Sequence, residues 1–303
     1  MNEYNLKMEY LAISHENTLE ACNNFVNFYL EKPNTNLIID FSNCDFLYPD
    51  YALLLLCSIK YIESKGHEVH GKIKLDKSKS IYQYLLKMDF FRNLKIDLPK
   101  IEANEKDYSF VEIQTYNSEN QIEVQNRIMK VLREKSVIDD DIFTCLDYCL
   151  NEVLDNILNH SKEKQGWVVA QYFGNLNQIR LMVADHGIGI CKALNEKYNF
   201  TEEEALQNCI VSGVTNGRGQ GHGLYATSLF ASENKGWLSI ISGNKKLDVN
   251  EYESKVIDIE HWQGTCVYLR INTNVVVDYK LFTDRHYDQK EHLFDMLFGD
   301  NES

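Results

Sequence analysis

The chain has 303 residues, 44% hydrophobic, 25% charged and with only three prolines, which is apolar material for about two packed domains and too much for a disordered or fibrous protein. Its 31 Lys and Arg against 45 Asp and Glu give a formal charge of −14, which would repel a phosphate backbone, so nucleic acid is not an expected partner. The start, MNEYNLKMEY, lacks the basic and apolar regions of a secretory signal, and the longest apolar run, Tyr51 to Ile59, stops at Lys60, far short of the roughly 20 residues that cross a bilayer. The expectation is a cytoplasmic protein with no membrane partner, whose eight scattered cysteines are reduced core thiols. Cys145 and Cys149 lie one helical turn apart but have no second cysteine or histidine pair nearby with which to hold a metal.

In chain order, Leu37 to Phe41 reads as a buried strand, Tyr51 to Glu63 as a helix, and His67 to Ile73 as a strand after a turn at Gly66. Ser80 to Leu94 repeats apolar residues at helical spacing through Ile81, Tyr84, Leu85, Met88 and Phe91. Residues 99–108, PKIEANEKDY, are polar, begin with proline and form the expected domain boundary. Beyond it, Ile142 to His160 is a helix with Leu146, Leu150, Val153, Leu154 and Ile157 on its apolar face. Its opposite stripe carries Glu152, Asn156 and His160 at i, i+4 and i+8, an arrangement that lines up a carboxylate, a carboxamide and an imidazole. Two strand-like segments follow, Trp167 to Phe173 and Gln178 to Val183, and lead into Asp185-His186-Gly187-Ile188-Gly189. An Asp followed by two closely spaced glycines lets the backbone wrap a flat ligand while the carboxylate accepts from an exocyclic amine.

Seven of the fifteen glycines fall between Gly187 and Gly223, so something requires close backbone approach there. Within this stretch, Thr201-x-x-Glu204 has the form of a capping box that opens a short helix over Ala205 to Val211. The loop Gly217-Arg218-Gly219-Gln220-Gly221-His222-Gly223-Leu224 runs into a helical segment, Tyr225 to Ser232. A glycine-rich loop at a helix start presents free N–H groups and a partial positive charge to an anion. Gly264-Thr265 then opens a strand over Cys266 to Ile271. In the tail, Glu291 to Phe298 forms a short acidic amphipathic segment, suited to docking on its own chain or on a dimer partner.

Two family resemblances rest on these residues. The pattern NLIIDFSNCDFLYPDYALLLLCSIKYIESKGHEV, with SIYQYLLKMDFFRNL after it, resembles a STAS domain, the fold of anti-sigma-factor antagonists, over roughly residues 5–98. Where phospho-switching members of that family carry a Ser-containing run, this chain has Tyr48-Pro49-Asp50-Tyr51. Asp50 therefore stands there either as a fixed negative charge near a helix start or as an N-cap or turn residue. The four later pieces, in their order, resemble the ATP-binding domain of the GHKL superfamily, with Asn151-Glu152-x-x-x-Asn156-x-x-x-His160 most similar to the anti-sigma-factor serine-kinase branch.

The resemblances imply a STAS-like α/β domain at 1–100, a Bergerat-type α/β sandwich at 109–275 and a tail at 276–303. The Bergerat unit would be a mixed sheet with helices on one face. They also imply ATP and Mg²⁺ as cofactors, with Asn156 on the metal and Glu152 as the general base. Asp185 would read the adenine amine with support from Thr265, and Gly187 and Gly189 would let the chain pass close to the base. Gly219, Gly221, His222, Gly223 and Leu224 would form the phosphate loop, with His160 facing the phosphates or capping its helix. Cys191 to Gly219 would be the nucleotide lid, while His186 and Asp155 are read as structural. The favoured activity is ATP hydrolysis that switches a regulatory protein partner, with a homodimer as a further expected assembly. The alternatives are phosphotransfer to Ser or Thr of a separate partner and a non-catalytic ATP-gated binding module.

Overall fold

A computed structural model describes residues 2–8, 14–32, 35–95, 109–217 and 221–278. The expected boundary at 99–108, Arg218, Gly219 and the amphipathic segment of the tail lie outside these residues.

The N-terminal part alternates strands and helices: β1 (Asn2–Lys7), α1 (His15–Glu31), β2 (Thr35–Asp40), α2 (Pro49–Ser64), β3 (His70–Lys74), α3 (Ser80–Lys87) and α4 (Phe90–Asn93). The strands pair in the order β1-β2-β3, all parallel, as the helical crossovers require. The single helix expected over Ser80 to Leu94 is instead two, because Asp89 takes a left-handed conformation with φ 56° between them. Asp50 is not an N-cap. Tyr48 occupies that position, Pro49 fills the first turn, and Asp50 is buried with its carboxylate 2.6 Å from His15 Nε2. The acidic charge at this turn thus has an internal partner on α1.

The C-terminal part comprises β4 (Phe110–Tyr116), α5 (Gln121–Lys135), α6 (Asp140–His160), β5 (Gly166–Phe173), β6 (Gln178–Ala184), α7 (Gly189–Leu194), α8 (Glu202–Asn208), α9 (Gly223–Glu233), β7 (Trp237–Val249) and β8 (Ser254–Asn272). The five strands run β4-β5-β6-β8-β7 and every pairing is antiparallel, which corrects the expected mixed sheet. Apolar strand patterns carry the face a residue takes but not the direction of its neighbour. Gly264-Thr265 does not open a strand either, since β8 starts ten residues earlier and pairs with β7 in a long hairpin broken by register shifts at Gly243.

Both faces of this sheet are covered. Val168 and Ala170 of β5, with Leu181 and Val183 of β6, pack on α5, α6 and α9, while Trp167, Val169, Met182 and Ala184 point the other way. The helices of this C-terminal part, α5 to α9, share one face as expected, and on the second face lie α1 and α2 of the N-terminal part. Sandwiching explains why Tyr51 to Ile59 has no polar stripe. A helix between two sheets is apolar all round, and Leu53 to Leu56 are all fully buried, each contributing about 1.5–3 kcal/mol of transfer free energy. Polar ties reinforce the docking: Lys246 of β7, largely buried, reaches Glu16 of α1 at 2.5 Å and Asp248 at 3.0 Å. Among the described residues, no helix is long and apolar enough to cross a membrane.

Candidate functional site

The site is built where α6, the turn after β6, α7, the segment after α8 and the start of α9 converge. Its main wall is α6, a 21-residue helix whose start is fixed by the Asp139 carboxylate accepting from Asp141 N–H at 2.9 Å. Burial of Leu146, Leu150, Val153, Leu154 and Ile157 against the sheet forces the opposite stripe inward to a cavity of about 280 Å³. Glu152, Asn156 and His160 line that cavity together, as their spacing predicts. Asp185, Gly189, Thr265, Gly221, His222, Gly223 and Leu224 complete the set, so residues more than a hundred positions apart in sequence share one pocket. Apolar side chains supply the rest of a surface fit for a flat ring, among them Ile190, Leu194, Val214 and Val267.

Asp185 is fully buried at the end of β6. Its backbone N–H donates to Thr265 O at 2.9 Å, and its Oδ1 accepts from Gly187 N–H at 2.6 Å. Its Oδ2 has no hydrogen-bond partner among the described residues although it is buried at the cavity. A buried acceptor left unmade costs about 1–3 kcal/mol, so this oxygen is set for a donor the chain itself does not supply. Burial pushes the carboxyl up to about 7, against the lowering by the Gly187 N–H.

That shift carries a stability consequence. Between about pH 4, where the unfolded carboxyl titrates, and about pH 7, the folded chain holds a proton that the unfolded chain has released. Stability from this group is therefore present at low pH and lost as pH rises through 7. The Asp185→Asn variant has no such proton and should melt above the parent at pH 8 but not at pH 5; equal differences at the two pH values in thermal melts would contradict the assignment.

The glycines around Asp185 allow close packing of its seat. A Cβ on Gly187 would lie 2.2 Å from Ser161 O, and one on Gly189, at φ +77°, would lie 2.7 Å from Ser242 Oγ. Gly264, at φ +92°, is similarly tight, since its Cβ would meet Asp185 O at 2.4 Å. Gly187 and Gly189 thus pass close to Ser161 and Ser242, and Gly189 also lines the cavity. Ser161, which accepts from Ile188 N–H, and Ser242, which bridges Ile190 N–H and Gly264 O, are functional supports missing from the sequence reading. No local pattern marks either serine.

Glu152 is half-buried, and burial, then the neighbouring Asp155 carboxylate, raise its pKa while the Tyr148 hydroxyl lowers it. A Cβ on Gly223 would stand 2.4 Å from Glu152 Oε2, so the first residue of α9 is glycine because the base candidate lies against it. Asp155 also lines the cavity, but Gln121 and Asn151 donate to its two oxygens at 2.7 and 3.4 Å. The Asn156 carboxamide makes no hydrogen bond among the described residues, which leaves its oxygen for a ligand. His222 is the N-cap of α9 with Nδ1 3.1 Å from Ser212 Oγ, and Gly221, at φ +72°, packs on Val214. In the segment expected to be the lid, the expected capping box is present: Thr201 and Glu204 cap each other ahead of α8. The helix starts at Glu202 and ends at Asn208, three residues before the expected Val211.

With this geometry in view, residues 144–274 match the family described as histidine kinase-, DNA gyrase B- and HSP90-like ATPase. This part of the chain is similar to a GHKL-superfamily ATP-binding domain. No curated protein was found to match the chain. The matched range contains all the site residues above except Gln121, which reaches in from α5.

Proposed function

We propose that the protein binds ATP with Mg²⁺ in this cavity and hydrolyses it to switch an interaction with a regulatory protein. The observation that carries the reading is the partnerless Oδ2 of Asp185, buried in an apolar-walled cavity with Glu152 and Asn156 one helical turn apart on the facing helix. Adenine's exocyclic amine is the donor that this oxygen lacks. Asn156 offers a neutral oxygen of the hard type Mg²⁺ takes, and the ion when bound offsets charge on the phosphates. Glu152 then takes the proton of the attacking water, a task suited to a carboxyl raised by burial. The start of α9 faces the phosphates with its free N–H groups, and α7, α8 and the segment after them form the lid that excludes water.

The N-terminal part is proposed as a STAS-like module, on the support of its parallel strands and alternating helices. Asp50, buried and paired to His15, stands at a helix start that carries no Ser or Thr acceptor, so a phosphoryl acceptor of that kind belongs on a separate partner. We place the protein in the cytoplasm, acting through regulatory partners or a homodimer. Incubation with γ-labelled ATP, Mg²⁺ and a cell lysate tests the activity. Label leaving as free phosphate, and lost on adding EDTA or in Asn156→Ala, is the expected result. Label on a Ser or Thr of another protein means kinase activity, and turnover indifferent to both EDTA and Asn156→Ala removes Asn156 from the metal.

A further inference from the structure

Asp185 must be held firmly for its one unmade acceptor to choose between bases, and part of its support comes from outside the ATP-binding domain. The next residue, His186, is buried and does not line the cavity. Its ring neighbours Trp167 of β5, with centroids 5.2 Å apart, and Tyr61 of α2, at 6.2 Å. His186 Nδ1 is 3.6 Å from a Glu163 carboxylate oxygen, and the Lys65 ammonium sits 4.8 Å above the Tyr61 ring on its own helix. One turn before Tyr61, Cys57 is fully buried on α2. Burial and then the charge of Asp185 push its thiol well above its ordinary value. The path from cavity to N-terminal part is therefore a single peptide unit long: Asp185 lines the cavity, and His186 contacts Tyr61 of α2.

We propose that Tyr61 is a positioning residue for base recognition, acting through His186 on Asp185, so that the N-terminal part is a component of the nucleotide site. The inference rests on the ATP reading above. Its physical basis is packing: with Tyr61 removed, the His186 ring loses one of its aromatic neighbours, and the turn carrying Asp185 gains room to swing. An acceptor free to swing loses orientation toward adenine more than it loses general contact with sugar and phosphates. By linkage the effect runs both ways, because a ligand that fixes Asp185 also tightens the contact of α2 with the sheet. This makes the docked helix, rather than only the lid, a reporter of nucleotide state.

Calorimetric titration of the full chain with ATP and GTP, for the parent, Tyr61→Ala and Tyr61→Phe, tests the proposal. Tyr61→Ala should weaken ATP at least about fivefold and narrow the preference for ATP over GTP, and Tyr61→Phe, which keeps the ring, should restore both. Hydrogen exchange on the unmodified parent gives an independent reading: ATP should slow exchange in α2 over residues 57–62 as well as around the cavity. Parental affinity in Tyr61→Ala, an equal loss for ATP and GTP, or ATP protection confined to residues 144–274 would each overturn it. Tyr61→Leu replaces Tyr61→Ala if the latter fails to fold. A parent that binds no ATP overturns the underlying reading together with this one, whereas a parent that binds ATP while the variants behave alike overturns this one alone.

Discussion

Glu152→Gln should lose phosphate release or phosphotransfer by at least about a hundredfold while binding ATP as tightly as the parent or more tightly. A positioned general base contributes about 10²–10⁴-fold in rate, and the amide keeps the shape of the side chain while removing its basicity. Binding responds in the opposite sense because a half-buried carboxylate near the phosphates repels them, and the change to Gln relieves that repulsion. Gly223, packed on the Glu152 carboxylate, is unaffected by an isosteric exchange, so the start of α9 stays in place. Phosphate release and calorimetric affinity, measured on the same preparation, separate the two effects. Parental turnover in the variant would mean the base lies elsewhere, and Asp155, which also lines the cavity, would be the residue to examine next.

The second large effect concerns Asp185→Asn, and it follows from counting donors. Asp185 Oδ1 already accepts from Gly187 N–H, and Oδ2 is the oxygen without a partner. An asparagine has one oxygen only. If that oxygen keeps the Gly187 N–H, an NH₂ group faces the adenine amine, donor against donor; if it turns to the amine, its NH₂ faces Gly187 N–H instead. Either arrangement opposes two donors in a fully buried place, which costs about 1–3 kcal/mol, or roughly five- to 150-fold in ATP affinity. Guanine presents a carbonyl where adenine has its amine. The parent carboxylate repels it, but the asparagine NH₂ can donate to it, so the preference for ATP over GTP should collapse or reverse in the variant.

Much of the site is legible in the sequence because its chemistry is tied to short spacings. Glu152 and Asn156 face one cavity because residues four apart share a helix face whatever surrounds them. Thr201 and Glu204 cap one another for an equally local reason, and the clustering of glycines before Gly223 marks close backbone approach before any contact is known. The misses have a common cause in long-range contact. Gly187, Gly189 and Gly264 were readable as glycines with a purpose, but the atoms that require them, Ser161 O, Ser242 Oγ and Asp185 O, belong to distant segments that no spacing links. The direction of the β-sheet pairs and the length of the β7–β8 hairpin are set in the same way. The docking of α1 and α2 on the second face of the sheet left one visible trace, the leucine run of α2 with no polar side, which is the pattern of a helix covered on all sides. Asp50 shows the converse, since its turn position suggests a cap while its partner, His15, lies 35 residues earlier.

The central claim, that the cavity on α6 is an adenine nucleotide site read by Asp185, is tested most directly by calorimetric titration of ATP and of GTP, with Mg²⁺, into the parent and into Asp185→Asn at pH 8. At that pH the carboxyl, which titrates at about 7, is mostly ionised. The account predicts that the parent binds ATP more tightly than GTP by at least about fivefold and that the variant loses ATP affinity by a similar or larger factor while its preference collapses or reverses. Equal affinities of the parent for the two nucleotides, or a variant that binds ATP as the parent does, would contradict it.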